Sequence, residues 1–276
     1  MELEERKGII LGRFVLYIVC GLIFIYLIMP IFVILPISFS SSRFLQFPPT
    51  GFSLQWYEKF FSGRNWISAT IRSFQVAVLT TVFATILGTL ASFAFVRGQF
   101  PGKKLLYGMV LSPLIIPVII TAVATYYIFA RVRLIGTIWA LVFAHTALAL
   151  PFVVVNVTST LQGFDITLER AALSLGASRL VTFLRVTFPL IWPGVVSGAL
   201  FAFITSFDEV VIAIFLTGSR PTLPKQMWDG IRIAINPTIS AVSSLLIVFS
   251  IILLLSLQLF TGRSMRMRGR SVSDQE

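Results

Sequence analysis

Histidine and cysteine are almost missing from this chain. One of each occurs in 276 residues, His145 and Cys20. Cys20 lies in an apolar run, and a lone thiol forms no intramolecular disulfide, so pairing says nothing about compartment. No Cys/His grouping has metal-site spacing. With one His in an apolar span, no Ser/His/Asp arrangement can be nominated. Beside Thr146, His145 reads as a structural hydrogen-bonding residue rather than a metal ligand or proton carrier. Charge is scarce too: charged residues are 12% of the chain, where a soluble domain carries about 25%. The turn Gly98-Gln99-Phe100-Pro101-Gly102-Lys103 falls short of a phosphate loop. Its glycines are one residue too close, and Lys104 replaces Ser or Thr. The chain therefore supplies no nucleotide site, calls for no cofactor and is not expected to be an enzyme. It shows no internal repeat and no soluble domain.

What is present is apolar. Hydrophobic residues make up 57%, against about 45–50% in soluble domains, so the chain is a polytopic membrane protein. A bilayer core needs ~20 apolar residues as helix. Six stretches qualify: Phe14–Ile37, Ile67–Val96, Leu105–Ala130, Ile135–Thr158, Phe188–Leu216 and Ile239–Phe260. The first follows Arg6, Lys7 and Arg13 as a signal peptide would. Its run is too long for a signal h-region, and no small-x-small cleavage site follows, so it reads as an uncleaved first helix.

The net charge of +11 first suggests nucleic acid. The basic residues instead punctuate apolar spans and form no aromatic-interleaved patch. They set topology by the positive-inside rule. With the N-terminus inside, the cytoplasmic segments hold 13 of the 22 Lys and Arg, including Lys103-Lys104 and Arg263, Arg266, Arg268 and Arg270. Six spans then place both termini in the cytoplasm. The chain divides into an N-terminus (1–13), a six-helix transmembrane domain (14–260) and a basic tail (261–276). On the outer side, Trp56 and Tyr57 read as membrane-interface markers. The Gly218–Pro237 loop holds short apolar-aromatic turns suited to a membrane surface.

Asp208 and Glu209 are the only acidic residues in any span. A charge at the bilayer centre costs about 2.5–3.5 kcal/mol on insertion scales, so it normally faces the bundle interior or water. Fifteen residues beyond Pro193, or about 22 Å of helix, the pair falls in the outer half of the membrane. Asp208 shares a helical stripe with Ser197, Phe201 and Thr205. Two readings stay open: a structural contact, as an ion pair with Arg72, Arg131 or Arg133 or a hydrogen bond to a neighbouring helix, or a negative, aromatic-lined station for a cationic solute.

One long segment is neither purely apolar nor a short turn: Asp165 to Gly194, which begins in the loop 159–187 and runs into the fifth span. Asp165 can accept from backbone N–H groups two or three residues on. Glu169 lies in the first helical turn, where the dipole favours a negative charge. Ala171, Ala172 and Gly176 follow, and Ala172 and Gly176, four apart, share a nearly flat face. Arg179, Arg185, Phe188-Pro189 and Pro193-Gly194 lead into the next span.

This segment resembles the EAA loop of ABC importer permeases: Glu-Ala-Ala, three residues, Gly, about nine residues, then hydrophobic-x-Leu-Pro. Ala171, Ala172 and Gly176 match, and Val186-Thr187-Phe188-Pro189 stands at the end. Arg170 occupies the usual Glu position. Ser206-Phe207-Asp208-Glu209-Val210-Val211, Phe215-Leu216-Thr217-Gly218 and Leu223-Pro224 further resemble permeases of spermidine/putrescine importers.

The resemblance implies an all-helical type I ABC importer permease in a bacterial inner membrane, with the EAA loop as a coupling helix. The implied partners are an ABC ATPase dimer, a second permease subunit, a periplasmic or extracellular solute-binding protein, a small-molecule solute and membrane lipid, with no nucleic acid. The solute would be a polyamine or related cation; opines and amino-acid derivatives are the alternative. Glu169, Ala171, Ala172 and Gly176 would couple to the ATPase, while Phe201, Thr205, Asp208 and Glu209 would line the solute path. A bulky residue at Gly176 should then clash with the ATPase, and Glu169→Lys should be milder because Arg170 already breaks the acidic pattern. A gradient-driven transporter would show matched broken halves, and a scaffold protein would have no use for the acidic pair.

Overall fold

The computed structural model describes residues 2–233 and 236–273, with side chains over 13–232 and 236–255. Arg6, Lys7 and the basic tail, on which the topology leaned, have side chains outside the described residues. The chain separates into two compact units, Met1–Gly63 with Gly230–Ile252 and Arg64–Asp229 with Leu253–Glu276. Among the described residues the regular structure is helical, apart from one isolated bridge between Ser40 and Phe52.

The first unit opens with α1 (Glu2–Ser38), apolar throughout its span, and continues through the Ser40–Phe52 bridge into α2 (Gln55–Ser62). Trp56 and Tyr57 do more here than mark an interface. Trp56 is buried, and its Nε1 donates to the Ser40 carbonyl at 2.8 Å. The Tyr57 hydroxyl bonds Ser38 and Ser244, each at 2.7 Å. These are internal braces that satisfy polar groups among apolar surroundings.

The second unit is built on α3 (Arg64–Arg97). Its buried positions Val76, Thr80, Ala84, Gly88 and Ser92 recur every fourth residue, one row along a helix. The other side exposes Val78, Val82, Ile86 and Leu90. Apolar residues outside and small or polar ones inside is the pattern of helices packed in lipid.

After α3 the chain forms α4 (Lys103–Leu111), a 3₁₀ turn (Ser112–Leu114) and α5 (Val118–Arg131). The sequence suggests a single span over Leu105–Ala130; the structure bends it by 104°. Pro113 and Pro117 explain the break, since each removes an N–H donor and disfavours helix in the residue before it. Among the described residues, five helices are long and apolar enough to cross a membrane, six if this bent pair counts as one span.

The central helix is α6 (Ile138–Gln162), buried nearly all round at Leu141, Val142, Val153, Val154 and Val157. It ends before α7 (Thr167–Ser174). Next come α8 (Arg179–Thr182), a π-helical turn (Phe183–Thr187) and α9 (Phe188–Asp208) without interruption. The fifth span therefore starts at Arg179, not Phe188, and stops at Asp208, not Leu216. Helices α3, α6 and α9 pack closely. A Cβ on Gly88 would lie 2.7 Å from the Val153 side chain, and one on Gly198 2.9 Å from Val153 Cα. Ser92 Oγ donates to the carbonyls of Gly88 (2.7 Å) and Val154 (3.2 Å), linking α3 to α6.

Beyond α9 the chain forms α10 (Val211–Leu216) and then α11 (Leu223–Ile233), which occupies much of the expected surface loop. The last helix is α12 (Thr238–Ser273).

Candidate functional site

Two places carry the predicted residues, at opposite ends of the α8–α9 rod. At the first, Asp165 Oδ1 accepts from the Thr167 N–H at 2.9 Å and starts α7 as expected. Hydrogen bonding from Thr167, first from its side chain and then from its backbone N–H, holds the Asp165 carboxyl below the usual carboxylate range.

Glu169 faces the bundle. Its Oε1 accepts from Arg97 Nη2 at 3.1 Å and from the Thr187 hydroxyl at 3.0 Å. Arg97 also lies over the Phe164 ring at 5.6 Å. One carboxylate thus ties α7 to the end of α3 and to the π-helical turn. Sequence reasoning missed Arg97 and Thr187 here. Arg97 is one of the 13 Lys and Arg assigned to the cytoplasmic side from the sequence, and nothing local marks a partner 72 residues away.

The Ala172/Gly176 face is not formed. The helix ends at Ser174, and Gly176 follows at φ +86° in the left-handed region. Its N–H donates to the Leu173 carbonyl at 3.0 Å and that of Ala177 to the Ala172 carbonyl at 3.1 Å, closing the helix as a C-terminal glycine does. A Cβ at Gly176 would meet nothing within 4 Å. Ala172 is turned partly inward, while Leu168, Ala171 and Leu175 are exposed. The outward face of this segment is therefore a leucine ridge, with Leu168 48%, Leu173 44%, Leu175 89% and Leu180 67% exposed.

At the other end α9 stops at the acidic pair. Asp208 is its last residue and is exposed; Glu209 is extended (φ −73°, ψ 112°) and half-buried. Glu209 Oε1 accepts from the Ile212 N–H at 3.0 Å. It caps α10, so its carboxylate already serves an otherwise unpaired helical donor. Phe201 and Thr205 lie on the same side of α9 as Asp208. Phe201, 44% exposed, stacks on Phe152 with ring centres 6.1 Å apart. Among the described residues the ion pairs are Arg97–Glu169 and Lys225–Asp229. Neither Asp208 nor Glu209 pairs with Arg72, Arg131 or Arg133. Two residues before Asp208, Ser206 Oγ shares a hydrogen bond of 2.9 Å with His145 Nδ1 that joins α6 to α9.

Comparison with known proteins fits this geometry. The chain is 33% identical over 251 residues to the spermidine/putrescine transport system permease protein PotC of Shigella flexneri, covering 91% of this chain and 95% of that one. It is 34% identical over 235 residues to the putrescine transport system permease protein PotI of Escherichia coli strain K12, covering 81% and 82%. The fold matches a chain of a crystallised bacterial ABC transporter involved in import of the acidic polysaccharide alginate. There the TM-score is 0.71 at 14% identity, covering 90% of this chain and 95% of that one. The profile of the binding-protein-dependent transport system inner membrane component family matches residues 84–266. With the all-helical type I permease fold, the chain belongs to that family.

Proposed function

We propose that this chain forms half of the translocation pathway of an ATP-driven importer in a bacterial inner membrane. Its α7–α8 segment docks on a cytoplasmic ATPase dimer, which carries ATP hydrolysis. A second permease subunit completes the pathway, and a solute-binding protein delivers the solute from outside. The observation that carries this reading is the leucine ridge. Leu175, 89% exposed at the end of a helix latched by Glu169 and Arg97, offers apolar surface with no internal partner. Such a surface marks an interaction site.

The solute is a polyamine or a related cation. Support comes from the polyamine permeases among the relatives and from Asp208, an exposed carboxylate without a basic partner among the described residues. A passing ammonium group is a transient partner for it. Attraction along a transport path must also permit release, so one carboxylate suits the task better than a tight cage. ATP-driven closure of the ATPases would shift the chain between two states that contact the solute differently, since only differential contacts move such an equilibrium.

The test is uptake of labelled putrescine and spermidine by cells whose own polyamine uptake has been deleted. Expression of this chain with its ATPase, second permease and binding protein should restore uptake, and the ATPase should copurify. No uptake and no copurifying ATPase would reject the reading. Topology is tested by single-cysteine labelling on a Cys20→Ser background. External reagent should reach Thr50→Cys and Lys225→Cys but not Lys104→Cys or Ser178→Cys. External labelling at 178 would place the leucine ridge on the wrong side for an ATPase.

A further inference from the structure

At the end of α3 remote from Arg97, the second unit contains a cavity of about 660 Å³. Asn65, Arg72 and Gln75 of α3 line it, together with Arg220 of the α10–α11 loop and Lys225 and Asp229 of α11. The size is that of a small-molecule site.

Its charges are unevenly matched. Lys225 Nζ donates to Asp229 Oδ2 at 2.6 Å, so these two offset each other. Arg72 and Arg220 form no salt bridge among the described residues. Arg72 Nη2 donates to the Gly136 carbonyl at 3.1 Å, while its Nε is buried with no partner. Arg220 is exposed. Two guanidiniums thus face one cavity with no carboxylate left to balance them. Guanidinium forks match oxyanions with paired, charge-assisted hydrogen bonds.

Depth in the chain agrees. Residues 64–75 of α3 carry Arg64, Asn65, Ser68, Arg72 and Gln75, and no charged residue follows until Arg97. The cavity therefore lies at the polar end of a span, where lipid headgroups and dissolved anions both have access.

We propose that this cavity is a phosphate-class oxyanion site in which Arg72 and Arg220 are the binding residues. It is separate from the Asp208 station, and its occupant is an anion rather than the transported solute. The source is a phospholipid headgroup or free phosphate, and the two are experimentally distinct.

The full chain is purified in a maltoside detergent, which contains no phosphate. Its unfolding temperature is followed as inorganic phosphate is added, or separately phosphatidylglycerol. A saturable rise with inorganic phosphate, absent with sodium chloride at equal ionic strength, assigns a free anion. A saturable rise with phosphatidylglycerol alone assigns a headgroup. Arg220→Gln should raise the half-saturating concentration about tenfold, the loss of one charge-assisted bond. Arg220 decides the test because its replacement breaks no internal bond seen here, whereas Arg72→Gln also loses the Gly136 contact. Lys104→Gln, at the far end of the unit, should leave the midpoint unchanged. No saturable rise with either probe, or an unchanged midpoint in Arg220→Gln, overturns the proposal.

Discussion

Arg97 and Glu169 stand 72 residues apart in the chain and 3.1 Å apart in space. Thr187 shares the same carboxylate oxygen, so the end of α3, the start of α7 and the π-helical turn meet at one atom. This contact reverses the ranking drawn from the motif alone, in which Glu169→Lys was the milder change. A lysine there would face Arg97 and leave the Thr187 hydroxyl without its acceptor. Pairs with this much solvent contact contribute about 0.2–1 kcal/mol to folding, so the unfolding temperature should fall by only a few degrees. Uptake should fall much further, because the docking helix loses its anchor. The double swap Arg97→Glu with Glu169→Arg should recover part of it. Wild-type uptake by Glu169→Lys would remove the latch from the account.

Gly176 should be sensitive to backbone preference rather than to bulk. Asn and Val have similar volumes, but Asn tolerates positive φ and a β-branched residue does not. Gly176→Asn should keep ATPase copurification near normal, and Gly176→Val should cost about 1–2 kcal/mol locally and weaken it. Limited proteolysis at the α7–α8 turn would report the same order. Equal damage from both variants would favour the clash expected from the sequence.

Leu175→Ser should leave the unfolding temperature unchanged within about 0.5 kcal/mol, as exposed surface substitutions usually do. It should reduce the amount of ATPase retained on purification. Full retention would show that the ridge meets something else.

Asp208 and Glu209 should separate cleanly. Asp208→Asn should lower uptake of cations and leave assembly intact. Assembly failure, rescued by neutralising a nearby Arg, would make the residue structural. Glu209→Gln keeps an acceptor for the Ile212 N–H and should be mild. Glu209→Ala loses the cap and should cost about 1 kcal/mol, read as a lower unfolding temperature.

Gly198→Ala should destabilise by about 1–3 kcal/mol, because the methyl group meets the Val153 backbone and the core is overpacked. Gly108→Ala, with open space around the new methyl, should be neutral or stabilising by a few tenths of a kcal/mol. Thermal unfolding of the two variants side by side checks the contrast.

The sequence made the class and the family legible because both rest on local signals: long apolar runs, the Ala171-Ala172…Gly176 spacing and the acidic pair. It carried Asp165 correctly for the same reason, since its bond spans two residues. What it did not carry depends on distance or on backbone conformation. The Glu169–Arg97 latch joins segments with no shared pattern. The helix end before Gly176 turns a presumed face residue into a terminator, and periodicity cannot see that without the φ angle. Leu105–Ala130 reads as one apolar stretch, although Pro113 and Pro117 were the available sign of the bend. Hydropathy does not show that α9 stops beside Glu209, whose carboxylate accepts from the Ile212 N–H.

The unbroken run from Arg179 to Asp208 has a geometric consequence. Thirty residues make a rod about 45 Å long. Its near end, Arg179, lies three residues after Gly176, and its far end is the exposed carboxylate. Pivoted at mid-length, a tilt of about 5° would carry each tip roughly 2 Å, in opposite directions, by the rod geometry alone. For a rigid rod, an ångström-scale push at Ser178 would reach Asp208 on a scale comparable to the length of a hydrogen bond.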